Sequence, residues 1–275
     1  MEITYSNQKF ICELETNSKP LLIEDIKFDN FICKAASPKY KLKYIYVEYL
    51  MYKFFSVLKY PIPDMKIMIV DNIHLEGSSH YPVGLQHKVF LASKKLLAAQ
   101  ELHTIPKNYP MRKNYDFLSL LQIAFFDYVF LNIDRKPENP NLLIENNIFF
   151  AIDNAQCFDY SSNYFDIETV DDLKSAILSK EDSILFHPLI KKIIKKNSNI
   201  LESLPNLVFH NFMDSINDLH NVFEKSISFF DNQFGTGVDY DWYRNCLNKH
   251  YLNTKWIKKC FEIFYQDLRS CMRGL

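Results

Sequence analysis

Glycine is scarce in this chain, 5 residues of 275, and proline supplies 11 more, so little of the sequence has the composition of a disordered linker. An excess of either charge is also missing. The 32 basic residues stand against 33 acidic ones, which removes the electrostatic ground for direct nucleic-acid or membrane-surface binding. The six cysteines, Cys12, Cys33, Cys157, Cys246, Cys260 and Cys271, contain no C-x-x-C pair and have no histidine at finger spacing. Neither a zinc site nor a disulfide framework is indicated, and a reducing compartment is expected. The first residues, MEITYSNQKFICELET, lack the apolar core of a signal peptide. The most apolar stretch, FLSLLQIAFFDYVFLNI at 117–133, is interrupted by Gln122 and Asp127 and is short for a membrane span. A buried helix is expected there, in a cytoplasmic protein.

What the chain does hold is apolar bulk: 48% hydrophobic and 15% aromatic residues, ample for a core at a length where one core begins to divide into two. Residues 1–35 alternate like a small antiparallel sheet of two or three strands, through KFICELE, LLIEDI and FICKAA with polar turns between them. Helical spacing takes over from Lys41 to Lys59, and Tyr60-Pro61-Ile62-Pro63 ends it. The run MKIMIVDN reads as a strand. Residues 71–92, with Gly77, Pro82 and Gly84, read as a loop-rich connector. Beyond it Ser93 is placed to cap a helix over 94–102, and Asn114 or Asp116 to cap the buried helix to Leu131. A hairpin follows, Leu142–Ile144 and Ile148–Ile152 around the polar turn Glu145–Asn147. Thr169–Asp172 and Ser179–Asp182 have the spacing of helix-start capping boxes. The order gives an α+β chain of two lobes. Residues 1–80 form a small β-rich lobe with one helix, and 81–275 a larger, mainly α-helical lobe with one inserted hairpin.

Three polar side chains stand around that hairpin at uneven intervals. Asp134 is followed five residues later by Asn139, and Asp153 comes fourteen residues after that. A carboxylate beside a hydroxyl can take its proton, and a carboxamide oxygen with a second carboxylate suits magnesium, a hard ion with oxygen ligands. Phosphoryl transfer needs these services more than covalent help: phosphates held, charge neutralised, the acceptor aimed in line. An isolated D-x-x-x-x-N is a weak signal, and its setting strengthens it. Upstream, Lys34 ends the strand FICK, where its ammonium could meet nucleotide phosphates. Glu48 lies fourteen residues further on, placed either to pair with Lys34 or simply to be solvated. Asn141 competes with Asn139 for the metal across Pro140. Lys191, Lys192, Lys195 and Lys196 read as a solvated helix face.

Taken together, LETNSKPLLIEDIKFDNFICK, YVEYLMYKFFSVLKYPIPD, FFDYVFLNIDRKPENPNLLI and FFAIDNAQCF resemble a protein-kinase-like phosphotransferase, and most closely a HipA-like kinase. The resemblance implies ATP and Mg2+ as cofactors, with Asp134 as base, Lys136 touching the transferred group, Asn139 and Asp153 on the metal, and Lys34 held by Glu48 at the phosphates. Ser18, in the phosphate-loop turn, resembles a serine that such kinases phosphorylate to shut themselves down. A serine or threonine of another protein is the implied acceptor, in a toxin, regulator or defence factor with an antitoxin or regulatory partner. The chain departs from the kinase pattern in having no G-x-G-x-x-G, H-R-D, D-F-G or A-P-E. The turn Thr16-Asn17-Ser18-Lys19-Pro20 would have to meet phosphates without glycine's freedom. A pseudokinase that binds nucleotide or a partner without transfer, and a kinase of small molecules or lipids, are the alternatives.

Overall fold

Short runs of β-branched and aromatic residues separated by polar breaks build the first third of the chain into strands. A computed structural model describes residues 3–5, 9–13, 20–25, 27–34, 42–69, 89–106, 114–158, 183–234 and 237–273. In it, β1 (Ile3–Tyr5), β2 (Lys9–Glu13), β3 (Leu21–Glu24) and β4 (Asn30–Lys34) precede helix α1 (Leu42–Leu58), which is followed by β5 (Met65–Ile69) and β6 (Val89–Lys94). These six strands form one sheet in the order β1-β5-β6-β4-β3-β2. Neighbours are antiparallel except β1 and β5, which run parallel.

Strand periodicity of two decides where the sheet's side chains go. On β4, Phe31 and Cys33 are buried with Leu21, Ile23, Met68, Phe90 and Ala92 in one cluster. Lys34 projects to the other face, opposite Leu91 in register, and Leu91 belongs to the core that α1 shares. The sheet thus delivers a lysine to the α1 side.

Two expectations for this region are corrected. Val89–Lys94 is neither connector nor helix start but a strand paired on both sides, Ser93 lying opposite Ile32 and Met65. No helix starts beside Ser93, so its hydroxyl has none to cap. The predicted 94–102 helix is replaced by a turn, the short strand β7 (Gln100–Glu101) and one 3-10 turn, Leu102–Thr104. The six-stranded sheet runs on past residue 80 through β6. The remainder of the expected connector, residues 71–88, lies outside the described residues, as do both capping boxes.

The remaining described residues are mostly helical: α2 (Phe117–Phe130), the hairpin β8 (Leu142–Glu145) and β9 (Ile148–Ala151), then α3 (Pro188–Lys196), α4 (Leu204–Asp214), α5 (Ile216–Phe234), α6 (Tyr240–Cys246) and α7 (Thr254–Arg273). Strands β7, β8 and β9 make a second sheet of three. Helix α2 is apolar nearly all round and is accordingly enclosed. Asp116 caps it, its side chain accepting from Leu118 N at 3.1 Å. Phe125 packs against Phe212 of α4 and Phe264 of α7, and Trp256 Nε1 donates to Val129 O at 3.0 Å. Helix α1 rests on α5 through Tyr46 against Phe230 and Tyr49 against Phe229, so it joins the first sheet to the helices. No helix among the described residues is long and apolar enough to cross a membrane.

Candidate functional site

The hairpin is held against α2 by polar contacts as well as by its apolar face. Its turn residues Asn146 and Asn147 have φ of 52° and 66°, the pair of left-handed positions that a two-residue hairpin turn requires and that asparagine tolerates. Asp116 N donates to Asn147 O at 2.8 Å, and the fully buried Ser119 hydroxyl accepts from Phe149 N at 3.1 Å. Between helix and hairpin, α2 ends on Leu131 in the left-handed region, with its N–H donating to Asp127 O. The chain then makes a tight turn closed by reciprocal bonds between Lys136 and Asn139, both 3.1 Å. Pro137 occupies the second place, where its fixed φ suits a turn.

This turn sets Asn139 beside Asp134. Asn139 Nδ2 donates to the Asp134 backbone oxygen at 3.3 Å and to its carboxylate Oδ1 at 3.1 Å, which leaves the carboxamide Oδ1 available as a ligand oxygen. Asn141, expected as a competitor for metal, also turns to Asp134: its Nδ2 donates to Oδ2 at 3.1 Å. Lys136 shares the turn through its backbone. Asp134 thus stands in a solvent-reached loop with its carboxylate held from two sides, able to accept a proton from a third.

A second group forms where the first sheet meets the hairpin. Lys34 Nζ donates to both oxygens of Glu48, at 3.0 and 3.1 Å, and to Asp153 Oδ1 at 3.0 Å. The expectation of a solvated Glu48 gives way here, because that side chain on α1 is buried, 3% exposed. Burial works to lower the Lys34 pKa, but the charges of Glu48 and then Asp153 outweigh it, so the ammonium holds its proton above the ordinary lysine range. Asp153 lies just past β9 with φ 53°, a backbone position that turns its side chain out of the strand's alternation. Its side chain is 40% exposed, which leaves Oδ2 open to an ion. Among the described residues there is no cluster of three or more His, Cys, Asp or Glu able to hold a metal. The donors on offer, one carboxamide oxygen and one carboxylate, fit the two-ligand mode in which magnesium keeps several waters and takes the rest of its shell from phosphate.

Arg135, which the sequence reading passed over, joins the two groups. It is 1% exposed. Its guanidinium pairs with Asp127 of α2 and donates to Ile152 O at 2.9 Å, Asn154 Oδ1 at 2.7 Å and, through Nε, Asn141 O at 3.4 Å. It therefore follows Asp134 in sequence and grips the residues on both sides of Asp153 in space. Burial pushes the Asp127 carboxyl up to about 7, with Arg135 pulling the other way. A signal for this residue was present: an aspartate inside an otherwise apolar helix demands a counter-charge, and Arg135 is the first cation after it.

Of the predicted residues, Lys34, Glu48 and Asp153 share one contact set, and Asp134 and Asn139 share another with Lys136 in the same turn. Ser18 and the rest of its turn, up to Lys19, lie outside the described residues. Comparison with protein families matches the sequence to the HipA-like kinase family over residues 18–219, well over half of the chain and inclusive of every residue in both sets. Comparison with curated proteins and with solved structures gives no match.

Proposed function

The chain belongs to the HipA-like kinase family, and from that premise we propose that it is an ATP- and magnesium-dependent kinase transferring a γ-phosphoryl group to a serine or threonine hydroxyl of a protein. The observation that carries this reading is one ammonium on two carboxylates. Lys34 from the six-stranded sheet is bound at once by Glu48 of α1 and by Asp153 beyond the hairpin, so elements far apart in sequence meet on a single charge. In this reading the sheet with α1 is the nucleotide-binding lobe, extending through β6, and the helical remainder with the hairpin is the catalytic lobe.

Magnesium and ATP, when bound, supply the electrophilic phosphorus and neutralise the charge of the phosphates. The protein's part is positioning. Lys34, oriented by Glu48, would hold the phosphates nearest the nucleoside, and Asn139 Oδ1 with Asp153 would hold the ion. Asp134 would accept the proton of the acceptor hydroxyl, with Lys136 beside the transferred group. Ser18 is proposed as an autophosphorylation site that switches the kinase off, and the family resemblance supports a toxin, regulatory or defence role governed by a partner protein. Transfer of labelled phosphate tests the reading. Asp134→Ala should lower turnover by about 10²–10⁴, the span for loss of a general base, and equal activity of the two proteins would remove it.

One observation favours a second reading. The segment Thr16–Pro20 contains no glycine, the residue whose backbone approaches phosphates most freely. A pseudokinase would show nucleotide-dependent thermal stabilisation with no turnover, on itself or on any other protein.

A further inference from the structure

Asn141 is the one polar side chain at this site whose sequence position suggests one task and whose geometry shows another. Two residues beyond Asn139, it invites assignment to the metal. Its backbone, at φ 44°, is in the left-handed region that asparagine and glycine reach more readily than other residues. Its carbonyl accepts from Ile152 N at 3.1 Å and from Arg135 Nε at 3.4 Å. The loop is therefore anchored here through the main chain, and the carboxamide is not needed to hold it.

The amide nitrogen of that carboxamide is directed at Asp134. An ionised carboxylate only accepts hydrogen bonds, so the amide nitrogen must be the group facing it, and Asn141 Nδ2 sits 3.1 Å from Oδ2. Asn139 Nδ2 occupies Oδ1 at the same distance. Each carboxylate oxygen has one amide donor and keeps a further lone pair. A carboxylate held at one oxygen can still rotate about its Cβ–Cγ bond, whereas held at both it presents a fixed edge.

We propose that Asn141 is a positioning residue for Asp134, clamping the carboxylate opposite Asn139 so that its remaining lone pairs face the acceptor hydroxyl, and that it is not a metal ligand. This rests on the reading of Asp134 as the base. Glycine keeps the left-handed backbone and deletes the amide, while aspartate keeps the size and sets a like charge against Asp134.

The test is phosphoryl-transfer kinetics on wild type, Asn141→Gly, Asn141→Asp, Asp134→Ala and the Asp134→Ala/Asn141→Gly double variant, with nucleotide affinity and melting temperature measured alongside. Asn141→Gly should lower kcat about tenfold, the worth of a hydrogen bond to a charged group, with KM for ATP, magnesium requirement and melting temperature near wild type. Asn141→Asp should lower kcat further. In the Asp134→Ala background the glycine substitution should cost nothing more, because the groups act as one unit. A raised magnesium requirement in Asn141→Gly, an unchanged kcat, or the same fold loss in both backgrounds would each overturn the clamp. Should the glycine variant melt early, the isosteric Asn141→Asp decides, and wild-type turnover there refutes the proposal. If Asp134→Ala is as active as wild type, the reading of Asp134 falls and the clamp with it; an inactive Asp134→Ala beside a fully active Asn141→Gly sinks the clamp alone.

Discussion

Lys34 shows how a single side chain can report on the whole site. Its folded pKa is raised, after burial has pulled it down, because Glu48 and Asp153 stand within 3.0 Å. A cation whose folded pKa exceeds its unfolded one contributes stability that is complete below the unfolded value and is lost as pH rises through the folded one. The window is thus alkaline, beginning near the ordinary lysine value of 10.5. Denaturant midpoints of wild type and Lys34→Met, followed from about pH 8 upward, should differ by a constant amount at first and converge as the lysine deprotonates. A difference that does not change across that range would mean that the ion pairs contribute nothing. At this scale the sequence was informative where spacing carries contact, as with the five-residue interval that sets Asn139 beside Asp134. It was silent on Asn141's direction, because a side-chain torsion has no periodic signature, and it marked Arg135 only indirectly, through the counter-charge that Asp127 demands inside an apolar helix.

Among the elements, the junction of α2 and the hairpin has the closest control over the site. Residues 132–141 are strung between them, so any slip of β9 along α2 would displace Asp134 relative to Asp153. The Ser119 hydroxyl prevents this at one point by accepting from Phe149 N, inside a fully buried environment. Ser119→Ala should cost about 1–3 kcal/mol, the penalty of leaving a buried donor unmatched. Hydrogen exchange at the Phe149 amide should quicken with it; wild-type exchange and midpoint would show that the bond is dispensable. Helix α1 was legible because its apolar residues recur at helical spacing, α2 because its apolar run is longer than a strand, and the hairpin because two short apolar runs flank a polar turn, with Pro61, Asp116 and Asn146-Asn147 as punctuation. Strand β6 was not, since the two glycines and one proline at 77–84 carried the loop assignment across VFLASK. The parallel pairing of β1 with β5 was illegible for a deeper reason: partners 64 residues apart are chosen by the whole sheet and not by local pattern.

At the scale of the molecule, the fold brings Lys34 of a strand, Glu48 of α1 and Asp153 from beyond the hairpin into one contact set, and Arg135 ties the loop that carries Asp134 to the residues on either side of Asp153. Helix α1 makes this feasible by packing on α5 through Tyr46 and Phe230 while sharing its core with Ile67 and Leu91 of the sheet, so the lysine of the sheet is set against the helical part. The most direct measurement is a crystal structure of the protein with Mg2+ and a non-hydrolysable ATP analogue. One ion should be coordinated by both Asn139 Oδ1 and the Asp153 carboxylate, with the phosphates on Lys34 and the terminal phosphate facing Asp134. Nucleotide bound elsewhere, or Asn139 and Asp153 on separate surfaces with no ion between them, would contradict this assignment.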